Sequence, residues 1–217
     1  MGFDREKITP ELMELARRMG DRLAEHRLLS PTWQTDHGFL AFLSETLPFY
    51  PGARLLIFPM AGARLGQPQE RTVIEHNDFL YILAGGLAPV MEANAAVPLA
   101  LNKGNVADYL RFYLTYVSDK AGGIKLVEEP YQIPWIEAEG EYQEPAVNKL
   151  VRPLRLIDTD DDGYVLNGTG LYQDAMFRAT FRVGYDGTLI IEDEEQIASD
   201  LNIRHAGNIP QPFATTG

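Results

Sequence analysis

From Thr9 onward the apolar positions fall at helical spacing. Leu12, Leu15, Ala16, Met19 and Leu23 recur every three or four residues, while Arg17, Arg18, Asp21, Arg22 and Glu25 lie largely off that stripe. The pattern predicts a helix that buries one face and ends near Leu28. Thr9 offers a capping hydroxyl, and Pro10 suits the first helical position, where its missing N–H would be unbonded anyway. A second helix is read over Asp36–Leu47, capped by Asp36 and burying Phe39, Leu40, Phe42 and Leu43. Pro48 and the Pro51-Gly52 pair stop it.

The pattern then shortens. Arg54–Phe58 is an apolar run cut by Pro59 and reads as a strand, followed by a loop over 61–69 containing Gly62, Gly66 and Pro68. Phe79–Leu83 and Leu87–Met91 flank Ala84-Gly85-Gly86, which is hairpin chemistry, and Pro89 marks the second arm as an edge strand. Asn105 is placed to cap a third helix, with Asp108 as its capping-box partner. The body of that helix, Tyr109–Val117, is apolar nearly all round except for Asp108, Arg111, Thr115 and Ser118 just before, within and after it. It is therefore expected centrally, with one edge in water. Gly122-Gly123 ends it, and Ile124–Glu128 follows as a strand.

Beyond Glu137–Ala146, a segment rich in glutamate that reads as the boundary between two lobes, alternation takes over. Strands are predicted at 150–157, 164–172, 175–184 and 188–194. In the third of these, Ala175, Phe177, Ala179, Phe181 and Val183 alternate with Met176, Arg178, Thr180 and Arg182. A three-residue turn, Tyr185-Asp186-Gly187, with Gly187 left-handed, sets Val183 opposite Leu189 and Phe181 opposite Ile191. A two-residue turn would set Phe181 opposite Glu192, so burial selects the longer turn. The outer face then pairs Arg178 with Glu194 and Thr180 with Glu192.

The fold class is thus α+β: helices packed on an antiparallel sheet over residues 1–139, followed by a C-terminal four-stranded antiparallel β-meander over 146–199. Residues 200–217 read as a surface or partly disordered tail. No internal repeat or low-complexity tract is present.

Charge narrows the partners. With 31 acidic against 19 basic residues the net charge is −12, which repels phosphate backbones and anionic headgroups, so neither nucleic acid nor a membrane surface is expected. The chain has no cysteine, which removes thiol catalysis, disulfides and thiolate zinc sites and fits a reducing, cytoplasmic setting. The polar start Met1–Lys7 lacks the apolar core of a signal peptide, Glu6 stands where a myristoylation motif has Ser or Thr, and no apolar run spans a bilayer.

Three clusters carry candidate chemistry. Asp158, Asp160 and Asp162 alternate ahead of Gly163, as in the first half of a calcium loop. Thr169 occupies the position of the bidentate glutamate, however, and the flanks read as strands. Weak divalent-cation binding is weighed there against a plain hairpin turn. Glu75, His76 and Asp78 put an imidazole among carboxylates, the composition of a general base, although neighbours on a strand point to opposite faces and no nucleophile motif accompanies them. On the third helix Tyr109, Tyr113 and Tyr116 share a face that could line a ligand cleft, and Arg111 could anchor a ligand carboxylate or pair with Asp108 one turn back. Phosphate-loop and histidine–zinc spacings are absent from the sequence.

The leading expectation is a non-catalytic binding or regulatory module that offers a groove or strand edge to a protein or small-molecule partner, with homodimerisation through a sheet edge as a subcase. No resident cofactor is implied. The alternative is a small-molecule enzyme of hydrolase or isomerase type built on His76, Glu75 and Asp78 together with the helix-three tyrosines.

Overall fold

The computed structural model describes residues 6–26, 28, 42–60, 69–117, 123–136 and 144–204. These fall into two compact units that meet in sequence at Ala100 and Leu101. Among the described residues, four helices and two antiparallel sheets make an α+β fold whose C-terminal part is a run of antiparallel strands.

In the first unit the amphipathic stripe behaves as its spacing requires. Helix α1 (Pro10–Glu25) starts at Thr9, whose hydroxyl oxygen accepts the Leu12 N–H at 3.2 Å. Leu12, Ala16, Met19 and Leu23 are buried with Phe42, Leu56, Phe58 and Val73. Phe42 immediately precedes, and Leu56, Phe58 and Val73 belong to, a sheet in the order β1-β2-β3-β4, formed by β1 (Leu43–Thr46), β2 (Arg54–Met60), β3 (Gln69–His76) and β4 (Phe79–Ile82). Leu56 pairs with Val73 across β2 and β3, so one face of the sheet receives the helix.

Three expectations fail in this unit. The helix read over Asp36–Leu47 does not extend through Leu43–Thr46, which is strand β1 paired to Ile57 through Arg54; Asp36, Phe39 and Leu40 lie outside the described residues, as does most of the loop at 61–69. β2 continues through Pro59, two residues past its last pair with β1, where among the described residues it has one strand neighbour, β3. The hairpin expected around Gly85 is displaced. The Phe79–Ile82 strand folds back on Gln69–His76 through Asn77 and Asp78, at φ +50 and +66. Asn and Asp tolerate that left-handed turn better than other side-chain-bearing residues. The supposed second arm is helix α2 (Leu87–Ala96). Pro89 is its third residue, inside the first turn, where N–H groups have no helical partner.

The second unit holds helix α3 (Val106–Tyr116), strand β5 (Lys125–Leu126), the one-turn helix α4 (Glu144–Val147) and strands β6 (Arg155–Asp160), β7 (Gly163–Tyr172), β8 (Ala175–Gly184) and β9 (Leu189–Ala198). The third helix, expected over the sheet of the first lobe, therefore belongs with the later strands. Most of the segment expected to divide the lobes, 137–143, lies outside the described residues. β7 is the spine: β8 pairs along one edge, and β6 and β5 lie end to end along the other. Thr169 bridges the gap between those two short strands. Its N–H donates to the Arg152 carbonyl at 3.3 Å, its hydroxyl oxygen accepts the Arg152 N–H at 2.9 Å, and its carbonyl accepts the Val127 N–H at 2.9 Å. The N–H, carbonyl and hydroxyl oxygen of this fully buried polar residue therefore each have a partner.

The β8–β9 turn follows the predicted geometry. Gly187 has φ +81, the Gly184 N–H donates to Thr188 O at 2.8 Å, and Val183 and Phe181 face Leu189 and Ile191. Beyond Ile191 the pairing shifts by one residue at a bulge, so Thr180 faces Asp193 and Arg178 faces Glu195, not Glu192 and Glu194. No helix among the described residues is long and apolar enough to cross a membrane.

Candidate functional site

The tyrosines of α3 are interior groups. Tyr109 is fully buried, and its hydroxyl donates to the Gly187 carbonyl at 2.7 Å, tying the helix to the β8–β9 turn. Tyr113 and Tyr116 are each 8% exposed. Ring centroids lie 6.2 Å apart for Tyr109–Tyr113 and 5.2 Å for Phe112–Tyr116, so the rings pack on one another. Burial pushes the Tyr113 hydroxyl pKa upward. Asn105 precedes the helix without capping it: its side-chain oxygen turns back to accept the Asn102 N–H at 2.8 Å.

Arg111 is held by two carboxylates. Its guanidinium reaches Glu128 through two N–H groups, at 2.8 and 2.7 Å, and Asp108 at 2.7 Å. Glu128 Oε1 also accepts the Leu154 N–H at 3.3 Å. The bidentate contact with Arg111 is the main reason that the Glu128 pKa falls below its ordinary value near 4.5. The same contact raises that of Arg111. This pair fastens α3 to the segment after β5.

A depressed carboxylate pKa adds stability that is present above the unfolded value and lost as pH falls through the folded one. Arg111→Met should therefore destabilise the second unit by about 1–3 kcal/mol at neutral pH, because it strands a half-buried charge. The deficit should shrink below about pH 4.5, as Glu128 becomes neutral in both proteins. Urea titrations at pH 7 and at acid pH measure this; a deficit independent of pH would mean that charge plays no part in it.

In the first unit Glu75, His76 and Asp78 build the β3–β4 turn. Glu75 is buried, and its Oε1 accepts the Asp78 N–H at 3.0 Å while Oε2 lies 3.9 Å from Arg54. Asp78 pairs with Arg18 of α1 at 3.2 Å, and its carbonyl accepts from Arg22. The His76 ring is within hydrogen-bond distance of the Asn77 amide. Glu75 and His76 point to opposite faces of the strand, so sequence adjacency does not assemble a catalytic pair.

The acidic turn is a tight β6–β7 hairpin. Asp160 pairs with Gly163 across the two-residue loop Asp161-Asp162. One oxygen of Asp160 accepts the N–H groups of Asp162 and Gly163, and both its oxygens reach Arg182, at 2.7 and 2.8 Å. Arg182 is the leading cause of its lowered pKa. Asp158 accepts the Thr159 N–H. Among the described residues no three acidic or histidine side chains are placed to hold a metal ion, Asp158, Asp160 and Asp162 included.

β9 differs from these clusters, since it is ten residues long and ends the sheet, with no strand on its outer edge among the described residues. Ile190 is 56% and Ile191 39% exposed. Four acids follow in succession, Glu192 to Glu195. Glu192 bonds to Arg182 and Glu195 to Arg178 at 3.5 Å, while Asp193 and Glu194 make no ion pair among the described residues. The hydrophobic pattern predicts a strand ending at 194 with Ile191 inside, whereas β9 runs on to Ala198 and leaves Ile191 partly in solvent. The signal that marks the edge is the acid run itself, which breaks the alternation that a half-buried strand keeps.

No protein-family model matches the chain, and neither a curated protein nor a solved structure matches it significantly.

Proposed function

We propose that this protein is a non-catalytic binding module that receives an extended segment of a partner protein along the outer edge of β9, where no strand pairs among the described residues. The observation that carries this reading is a ten-residue terminal strand with two exposed isoleucines. Such an edge presents unpaired N–H and C=O groups to a partner backbone, the basis of recognition by strand addition. The reactive groups elsewhere support the non-catalytic side of the reading. Tyr109, Arg111, Glu75 and Asp160 each hold a turn or a helix in place, and each already has its hydrogen-bond partners. A chain without cysteine loses nothing in a reducing compartment, which supports a cytoplasmic setting.

Homodimerisation through this edge is disfavoured at neutral pH. Antiparallel pairing of two β9 strands would bring like charges of the Glu192–Glu195 runs together, and like charges directly opposite destabilise a sheet. Sedimentation at pH 7 should accordingly give a mass that does not rise with concentration.

Selection from a displayed library of extended peptides, followed by amide hydrogen exchange on the complex, tests the reading. Bound peptides should slow exchange along Leu189–Ala198. Binders that protect other segments and leave β9 unchanged would overturn it.

A further inference from the structure

The charge on β9 narrows what such an edge can receive, and this step rests on the reading of β9 as a binding edge. We infer that the partner segment is an extended basic peptide with an apolar end, its lysines or arginines set against Asp193 and Glu194 and its β-branched residues against Ile190 and Ile191.

The register supplies the argument. Asp193 lies opposite Thr180 on the sheet face that also carries Arg178 and Glu195, and Glu194 lies opposite Ala179 on the other face. Each face of β9 therefore carries one carboxylate that β8 does not neutralise. A strand added outside β9 brings its side chains to about 5 Å from these groups on both faces. Lysine or arginine there completes two cross-strand pairs, whereas an acidic strand or a second copy of β9 meets repulsion. The net charge of −12 also draws a cationic segment towards the protein as a whole. For antiparallel addition the peptide reads basic residues first and branched apolar residues after them. A charged edge can also serve to prevent aggregation. That alternative predicts that no peptide is accepted, which separates it from binding.

The backbone shows where to block the edge. The Gly184 N–H bonds to Thr188 O. Alternate pairs along an antiparallel ladder exchange hydrogen bonds, so Arg182 and Ile190 form a bonded pair and the N–H of Ile191 points outward. Ile191→Pro removes that outward donor while sparing the ladder to β8.

The test uses fluorescence anisotropy with three labelled peptides of one length: Lys-Arg-Lys-Thr-Val-Ile, the same peptide with glutamine in the three basic positions, and the same with glutamate there. Each is titrated into the full chain, into Ile191→Pro, and into the double variant Asp193→Lys, Glu194→Lys. The basic peptide should bind the unaltered protein about 5- to 30-fold tighter than the glutamine peptide. The double variant should reverse that order in favour of the glutamate peptide, and Ile191→Pro should remove binding.

Equal affinity for the basic and neutral peptides, both lost in Ile191→Pro, would overturn the charge assignment and leave the binding edge standing. Basic-peptide binding that survives Ile191→Pro would be general attraction to an acidic protein and would overturn both. Absence of binding by all three would remove the partner class. Amide exchange on the unaltered protein with the basic peptide bound provides a readout independent of the proline variant: protection at Leu189–Ala198 supports the assignment, and protection elsewhere removes it.

Discussion

Gly163→Ala is expected to unfold the β6–β7 hairpin or force it apart, lowering the stability of the second unit by roughly 2–6 kcal/mol. Two effects add. The backbone at Gly163 has φ +149, where a side chain is strained whatever the space, at about 1–3 kcal/mol. A Cβ there would lie 2.2 Å from the carbonyl oxygen of Val183 and 3.0 Å from Gly184 Cα. Relief requires β7 and β8 to separate where Gly163 faces Gly184, and forced overpacking costs about 1–3 kcal/mol more. Urea unfolding followed by Trp135 fluorescence in a Trp33→Phe background reports on this unit, because those are the two tryptophans of the chain. Asp161→Ala, exposed in the adjacent loop, serves as the control and should stay within about 0.5 kcal/mol. If the alanine variant matched that control, the close approach of the two strands would not be a constraint. The glycine is thus explained by the pairing of three strands, without a bound cation.

How much of this was legible in the sequence depended on whether burial or local chemistry decided each element. α1 was legible because a stripe from Leu12 to Leu23 has one solution at helical spacing, and Thr9 and Pro10 mark its start. The β8–β9 turn was legible because a slip would carry Phe181 and Val183 to the wrong face. Leu87–Ala96 was not, since a short apolar run beside two glycines fits strand and helix alike. Its alanines, Met91 and Glu92 favour a helix, and Pro89 is as compatible with a first helical turn as with an edge strand. The Asn77-Asp78 turn was hidden because the polar residues around it read as a loop. The shift of Arg178 from Glu194 to Glu195 followed from a bulge, and one extra residue in a strand leaves no mark in composition.

The candidate chemistry was legible as composition and misleading as placement. Arg111 was expected to meet Asp108, and it does, but its stronger partner Glu128 lies seventeen positions away. Asp160 looked like a cation ligand because its partner, Arg182, is two strands distant in sequence. Long-range ion pairs of this kind carry no local signature. An excess of isolated acids is therefore poor evidence for a metal until the basic residues have been located.

Phe181→Ala carries the other large effect, and it tests the architecture behind the proposed binding edge. Phe181 has no exposed surface, faces Leu166 of β7 and Ile191 of β9, and is among the largest fully buried side chains. Removing its ring deletes apolar burial and leaves a cavity that strands held on both sides cannot close, at a cost of about 3–5 kcal/mol. Ile191→Ala, directly across but 39% exposed, should cost less than about 1 kcal/mol. Both are measured by the Trp135 unfolding assay. The contrast decides between two pictures of β9. If it is a terminal strand resting on a core made by α3, β7 and β8, the loss concentrates at Phe181, and β9 keeps one side open to a partner. A large loss at Ile191 would instead mean that β9 is covered on that face as well. The apolar half of the proposed contact surface would then not exist, whatever the charge of the peptide offered to it.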